Sequence, residues 1–200
     1  MRGQKPAAAD QALIDEDGVV MDPRWVTELQ RLITGAGLSL SEPIPHELII
    51  EFDQRIIVAG TRYFEDIGLF DSLMDDEAAL YKTKGSFMFI SGAAKTGADA
   101  LVIEWCKKRG YPYAVFPADW DAHGKSAGYV RNAEMAKHLT NLTVFWDGKS
   151  NGTKHMIECA VEKGVRPHKY IVDIPPPEAR VHSYGVMNAK SDPRPAHRGL

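Results

Sequence analysis

Apolar residues along this chain fall in short solid runs separated by longer amphipathic stretches. The runs are Ile56-Ile57-Val58-Ala59, Phe87-Met88-Phe89-Ile90, Tyr113-Ala114-Val115-Phe116, Leu142 to Trp146 and Tyr170-Ile171-Val172. A short run without polar alternation suits a strand buried on both faces, as in a parallel sheet. Between the runs the apolar positions take up helical spacing. Residues 98–109 place Leu101, Val102, Trp105 and Cys106 in one stripe. Residues 127–138 offer Val130 and Met135, with Leu139 just beyond, and residues 153–163 offer Met156, Ile157, Ala160 and Val161. Residues 63–80 are helical in composition but poorly patterned. This alternation predicts an α/β fold: a Rossmann-like three-layer α/β/α arrangement on a mostly parallel sheet, with right-handed crossovers.

The flanks differ from this unit. Residues 1 to about 20 are rich in Ala, Asp and Gly and read as an arm. Asp22-Pro23 offers a cap and a proline in the first helical turn. Trp25, Leu29, Leu32 and Ile33 then fall on one face of an accessory helix that Gly35 or Gly37 ends. After Pro175-Pro176-Pro177 the chain is polar and short of periodic apolar residues, as an extended tail would be. The expected division is an arm and accessory helix over 1–53, the sheet domain over 54–173, and a tail over 174–200.

Composition narrows the class. Two hundred residues with 44% hydrophobic and 26% charged side chains are ordinary for a soluble domain. A net charge of -3 gives no long-range attraction for nucleic acid. Lys107-Lys108-Arg109 is a short basic run at a helix end, where it complements the dipole. Cys106 and Cys159 lie beside apolar residues without metal or redox spacing, so they read as buried small hydrophobes in a reduced compartment. With no apolar span and no signal-like leader, a cytoplasmic protein without membrane contact is expected.

Four strand ends carry the candidate chemistry, because loops leaving the C-terminal edge of a parallel sheet converge on one crevice. Gly60-Thr61-Arg62 combines a sharp turn, a hydroxyl and a guanidinium suited to phosphate; alone it equally suits a strand stop with a solvated arginine. The loop from Ser91 to Asp99, with Gly92, Lys95 and Gly97, lets backbone amides approach an anion at a helix N-terminus. It is neither a Walker A loop nor a Gly-x-Gly-x-x-Gly turn, and Asp99 in it suits a helix cap or a ribose contact. Pro117 to Gly128 is the least core-like stretch. Trp120 could stack on a base, Asp119 or Asp121 could accept from sugar hydroxyls, and Lys125 could face phosphate, with Arg131 and Asn132 following in the helix. His123 is a conceivable general base but more simply a surface residue. One histidine with two carboxylates is no convincing ligand set, so neither metal nor cofactor is expected. Last, Gly152 and Thr153 precede a helix, and Thr153 could cap it or contact phosphate.

Taken together, Gly60 to Arg62, Gly92 to Asp99, Pro117 to Trp120, Gly124 to Met135 and Gly152-Thr153 resemble the motifs of the DUF2493 family, the YspA-like (YpsA-related) branch of the SLOG superfamily. The resemblance covers roughly residues 54–172, and Pro117 to Met135 is its most specific part. The first glycine loop departs from the family form, with Lys95-Thr96 where the family is more compact. The resemblance implies a Rossmann-like domain, of bacterial or phage association, that binds a nucleotide, nucleotide-sugar or related signalling nucleotide and commonly self-associates. More distant relatives resembling LOG phosphoribohydrolases cleave an N-glycosidic bond, using a glutamate three residues after the Gly-Thr threonine. This chain has Met156 there.

Binding is therefore the leading expectation. Hydrolysis of a nucleotide derivative is the alternative, with Asp99, Asp119 and Arg131 as its candidate catalytic residues. A homo-oligomer is the expected assembly, and nucleic acid is a poor fit as a partner. Trp25, Phe64 and Phe70 could supply a partner surface, although a sheet flanked by helices needs such residues for its core.

Overall fold

Five parallel strands, β1 (Gln54–Gly60), β2 (Phe87–Ser91), β3 (Tyr113–Val115), β4 (Asn141–Trp146) and β5 (His168–Ile171), form the sheet in the order β3-β2-β1-β4-β5. The computed structural model describes residues 41–174, Leu13–Ile14, Val20–Met21, and the single positions Arg31, Gly35, Gly37 and Ser39. Trp25, Leu29, Leu32, Ile33 and the 175–200 tail lie outside the described residues. Within the arm, Leu13–Ile14 and Val20–Met21 form a two-residue antiparallel ladder. The expected α/β fold with a Rossmann-like parallel sheet is the one observed.

Strand order explains where a site can form. The chain moves from β1 to β2 to β3 in one direction, then returns to place β4 on the other side of β1. Right-handed crossovers put the connecting helices of the two halves on opposite faces. α1 (Ile67–Lys82) accordingly packs with α2 (Ala98–Arg109), and α4 (Ala127–Met135) with α5 (Asn151–Glu162). The loops after β1 and β4 diverge from neighbouring strands, which opens a crevice at their carboxyl ends.

The solid apolar runs fill the core as their pattern predicts. Every residue of β2 is buried, as are Ile56, Ile57 and Val58 in β1. Phe145 stacks on Phe64 with centroids 5.2 Å apart, and tilts against Phe70 and Tyr170. Phe64 and Phe70 are thus core residues rather than a partner surface. Burying a side chain of this size contributes about 1.5–3 kcal/mol. Ile44, Ile49 and Phe52, which precede β1, belong to the same core. The outer side of β3 is not left open: Ile44 N–H donates to the Tyr113 carbonyl at 2.6 Å, and His46 bonds the Val115 carbonyl at 2.9 Å.

Two apolar assignments are corrected. Val130 and Val161 are exposed, not inward-facing. In α4 the inward face is Ala127, Asn132 and Met135, because Asn132 finds a carbonyl partner in α5 and takes the place an apolar residue would hold. In α5 the stripe begins a turn earlier, at Thr153, and continues through Met156, Ile157 and Ala160. Helix α1 starts at Ile67 rather than 63, since Asp66 caps it by accepting from the Leu69 N–H at 2.9 Å. The basic run at the end of α2 is spent in ion pairs. Lys107 meets Glu104, while Lys108 meets Asp71 and Arg109 meets Asp75 on α1. Among the described residues no helix is long and apolar enough to cross a membrane.

A buried carboxylate ties α1 to the sheet edge. Glu77 accepts from the Tyr170 hydroxyl at 3.0 Å, bonds Tyr81, and pairs with His168. Burial, then the charge of Glu77 and its hydrogen bond, hold both tyrosine hydroxyls well above the ordinary tyrosine range. A group whose folded pKa is raised stabilises the fold below its unfolded value and loses that contribution as pH climbs through the folded one. Unfolding free energy should therefore fall as pH rises beyond about 10, and less steeply in Tyr170→Phe than in wild type. Parallel pH profiles for the two proteins in urea titrations would refute this account.

Glycine sets the approach of β1 to α2. Gly97 sits at φ 74° and ψ -160°, and a Cβ there would lie 2.2 Å from the Thr61 carbonyl oxygen. Gly110, at φ 71° and ψ 28°, has nothing within 4 Å of the same position. Gly97→Ala should thus destabilise by about 3 kcal/mol or more, by strain plus overpacking. Gly110→Ala should lose only about 1–2 kcal/mol. Urea midpoints measure both, and equal losses would show that the β1–α2 contact is loose.

Candidate functional site

The divergent loops after β1 and β4 wall a cleft of about 430 Å³, within the range of small-molecule sites. The end of β1 contributes Gly60, Thr61 and Arg62, and α2 contributes Asp99. Trp120 and Lys125 come from the segment before α4, Arg131 and Asn132 from α4, and Gly152 and Thr153 from α5. Gly92 and Lys95 line an adjoining hollow instead. Gly97 and Asp119 line neither.

The two sides of the crevice are bonded across its floor. Thr61 N–H donates to the Phe145 carbonyl at 2.9 Å, and its hydroxyl donates to Asp147 at 3.3 Å. Asp147 also accepts from the N–H groups of Lys149 and Ser150, at 2.9 and 2.8 Å. Its burial favours the protonated form, but these donors prevail and hold its carboxyl below the usual range. Ser150, not Thr153, is the N-cap of α5. Its hydroxyl oxygen accepts from the Thr153 N–H and from the Thr153 hydroxyl, at 3.4 and 3.0 Å.

Asp99 does not cap α2, whose N-cap is Gly97. Its carboxylate faces the Arg131 guanidinium at 3.6 Å, with side-chain exposures of 10% and 17%. Burial pushes the Asp99 carboxyl up, opposed by Arg131, by backbone hydrogen bonds from Gly92 and Gly60, and by Arg62. Arg131 donates from Nη1 to the Gly92 carbonyl and from Nε to Asn132 at 3.0 Å. A Cβ on Gly92 would overlap both the Arg131 guanidinium and the Asp99 carboxylate. The glycine is thus what lets the pair form at the end of β2. Asn132 in turn donates to the Gly152 carbonyl at 3.0 Å, fixing α4 against the start of α5.

Cleft electrostatics are unbalanced toward positive charge. Arg62, Lys125 and Lys149 line it, and among the described residues none is in a contact ion pair with a carboxylate, although the Arg62 charge acts on Asp99. Trp120, Tyr63 and Tyr129 form an aromatic rim and are exposed by 52%, 55% and 44%. Asp119 spends its carboxylate capping the short helix α3 (Trp120–His123), accepting from the Ala122 N–H at 2.8 Å. That cap aims the neighbouring Trp120 at the cleft. His123 is exposed and lines neither hollow.

Lining residues outside the site selected from the sequence include Tyr63, Tyr129, Asp147, Lys149 and Ser150. Tyr63 follows Arg62, but the sequence reading placed it at the start of a poorly patterned helix over 63–80. Tyr129 stands between Gly128 and Arg131 in the segment that carries the resemblance, which was a usable signal. Asp147 directly follows a strand, and its value lay in amides that only the folded loop presents.

Residues 54–123 match the family described as YspA, cpYpsA-related SLOG (YAcAr). That match supports the YspA-like SLOG branch as what this segment resembles. The matched residues run from the start of β1 through His123 and so include Gly60 to Arg62, Asp99 and Trp120 of the cleft, but not Arg131, Asn132 or the residues after β4. The chain is also 29% identical over 119 residues to the Gene 61 protein of Mycobacterium phage D29, covering 56% of this chain and 92% of that protein. No solved structure matches.

The buried pair sets a testable contrast. Removing one partner of a buried ion pair strands the other and costs about 3–5 kcal/mol, whereas exposed pairs contribute about 1 kcal/mol or less. Asp99→Ala should therefore destabilise severalfold more than Lys108→Ala, which breaks the surface pair with Asp71. Similar losses in chemical denaturation would mean that Arg131 is solvated in solution.

Proposed function

We propose that the protein binds a nucleotide-derived anion in this cleft, with phosphate between the ends of β1 and β4 and the base against Trp120. The observation that carries the reading is three cationic side chains in no contact ion pair among the described residues, beside an aromatic rim, at the reversal of strand order. Arg62 and Lys149 flank the start of α5, where amide donors and the helix dipole favour an anion. Trp120 offers a ring face on which a base can stack. Likeness to the SLOG branch suggests nucleotide-related binding or a glycosidase-like role, and the lining favours the first.

Hydrolysis is less well supplied. The carboxylates of the cleft are Asp99 and Asp147, and each is committed to partners that oppose a role in proton transfer. Position 156, where LOG-like enzymes carry glutamate, holds a methionine 1% exposed in the core.

Calorimetry with a panel of nucleoside mono- and diphosphates tests the proposal, with chromatography of the same mixtures for free base. Binding without base release is expected. Arg62→Ala and Trp120→Ala should each weaken it by about tenfold or more, as loss of a charged contact or a stacking platform does. No heat with any nucleotide would remove the reading, and release of base would transfer the cleft to the hydrolases.

A further inference from the structure

Edge strand β5 carries a histidine whose chemistry the cleft does not use. His168 bonds through Nδ1 to the Glu77 carboxylate; the Glu77 side chain is 2% exposed and that of His168 54%. Glu77 is held from two further sides, by the Tyr170 and Tyr81 hydroxyls. A carboxylate fixed in this way keeps the proton of a neutral imidazole on Nδ1 and leaves the lone pair on Nε2. Nε2 itself has no hydrogen-bond partner among the described residues. Among the described histidines, His168 alone meets a carboxylate.

His168 also lines an open hollow of about 860 Å³ that shares no residue with the cleft. Arg166 and Lys169 line it too; both are exposed, and neither is ion-paired among the described residues. No carboxylate lines it. We propose that His168 is a phosphoryl-acceptor site, where Nε2 takes a phosphoryl group from a phosphoramidate or acyl phosphate held by Arg166 and Lys169. Glu77 is its positioning residue. The site is separate from the nucleotide reading and stands without it.

In the transfer step the Nε2 lone pair forms an N–P bond. The donor's P–N or P–O bond breaks, and its electron pair leaves with ammonia or with a carboxylate. The ring becomes an imidazolium that keeps its Nδ1 proton, and the Glu77 charge neutralises it. No proton has to leave the buried side of the ring. Arg166 and Lys169 receive the phosphoryl oxygens, as guanidinium and ammonium groups do.

The test incubates the full chain with potassium phosphoramidate at mildly alkaline pH. Phosphorus NMR and peptide mass mapping under neutral conditions then follow each histidine, since N–P bonds are acid-labile. His123, exposed and without a side-chain partner among the described residues, is the internal reference. His168 should be phosphorylated at least about tenfold faster, the lower end of what an orienting carboxylate contributes to a working histidine. Glu77→Gln should bring the two rates together, and Arg166→Ala should slow His168 alone. Equal rates at His168 and His123 in the wild-type protein overturn the proposal and need no variant. A preference that persists in a folded Glu77→Gln protein overturns it too, because the carboxylate is then not its cause. If Glu77→Gln does not fold, long-range nitrogen NMR of the wild-type imidazoles reads the same point. The Nδ1–H tautomer at His168 supports the proposal, and the Nε2–H tautomer overturns it.

Discussion

Asp99 and Arg131 lie largely out of water, so each charge depends on the other and on dipoles supplied by two strand ends. Desolvation of such a pair is unfavourable unless its remaining hydrogen-bonding capacity is met. Here it is met by the backbone at Gly60 and Gly92 and by Asn132. The consequence is geometric. Asp99 is in the first turn of α2, Arg131 is in α4, and the glycines end β1 and β2, so one charge pair fixes four segments that share no local sequence. Asn132 extends the same linkage to α5 through the Gly152 carbonyl.

The crevice itself has a different origin. It follows from the strand order, which separates the loops of β1 and β4 whatever residues they contain. Side chains determine only how wide it opens and what charge it carries. Gly60 shows the distinction: a Cβ there would lie 2.5 Å from the Phe145 carbonyl oxygen and 2.7 Å from Ala98. The residue therefore works by absence, letting β1 end against both β4 and α2. The Thr61 to Asp147 bond then joins the two walls without filling the space between them.

The fold was readable wherever one pattern dominated. The unbroken apolar runs identified all five strands, and the apolar stripe over 98–109 identified α2, observed at Ala98–Arg109. The reading failed where a polar residue faces inward. Asn132 takes an interior position on α4, so a search for apolar spacing turned Val130 inward and the helix out of register by part of a turn. The cap offered at Thr153 falls instead at Ser150 for a related reason. Ser150 and Thr153 are both plausible caps by residue type, and only the folded loop shows which hydroxyl meets the free amides. Most of the candidate residues in the cleft were legible because glycine and charged residues at strand ends are conspicuous. Asp119 was chosen for its charge, yet a carboxylate one residue before a helix is claimed first by the backbone.

The division of labour among the carboxylates favours recognition over bond cleavage. A general acid or base needs a proton it can exchange at the reacting atom. Asp147 is held ionised by two amides and a hydroxyl, and the Asp119 side chain accepts from an amide at the start of α3. Asp99 is the carboxyl that burial biases toward protonation, and Arg131 stands against it. The cations are arranged the other way. Arg131 is anchored and rigid, while Arg62, Lys125 and Lys149 reach the cleft without a contact ion pair to a carboxylate among the described residues. A surface that neutralises its own acids and leaves its bases available is organised to receive an anion, with the fixed guanidinium setting where that anion must lie.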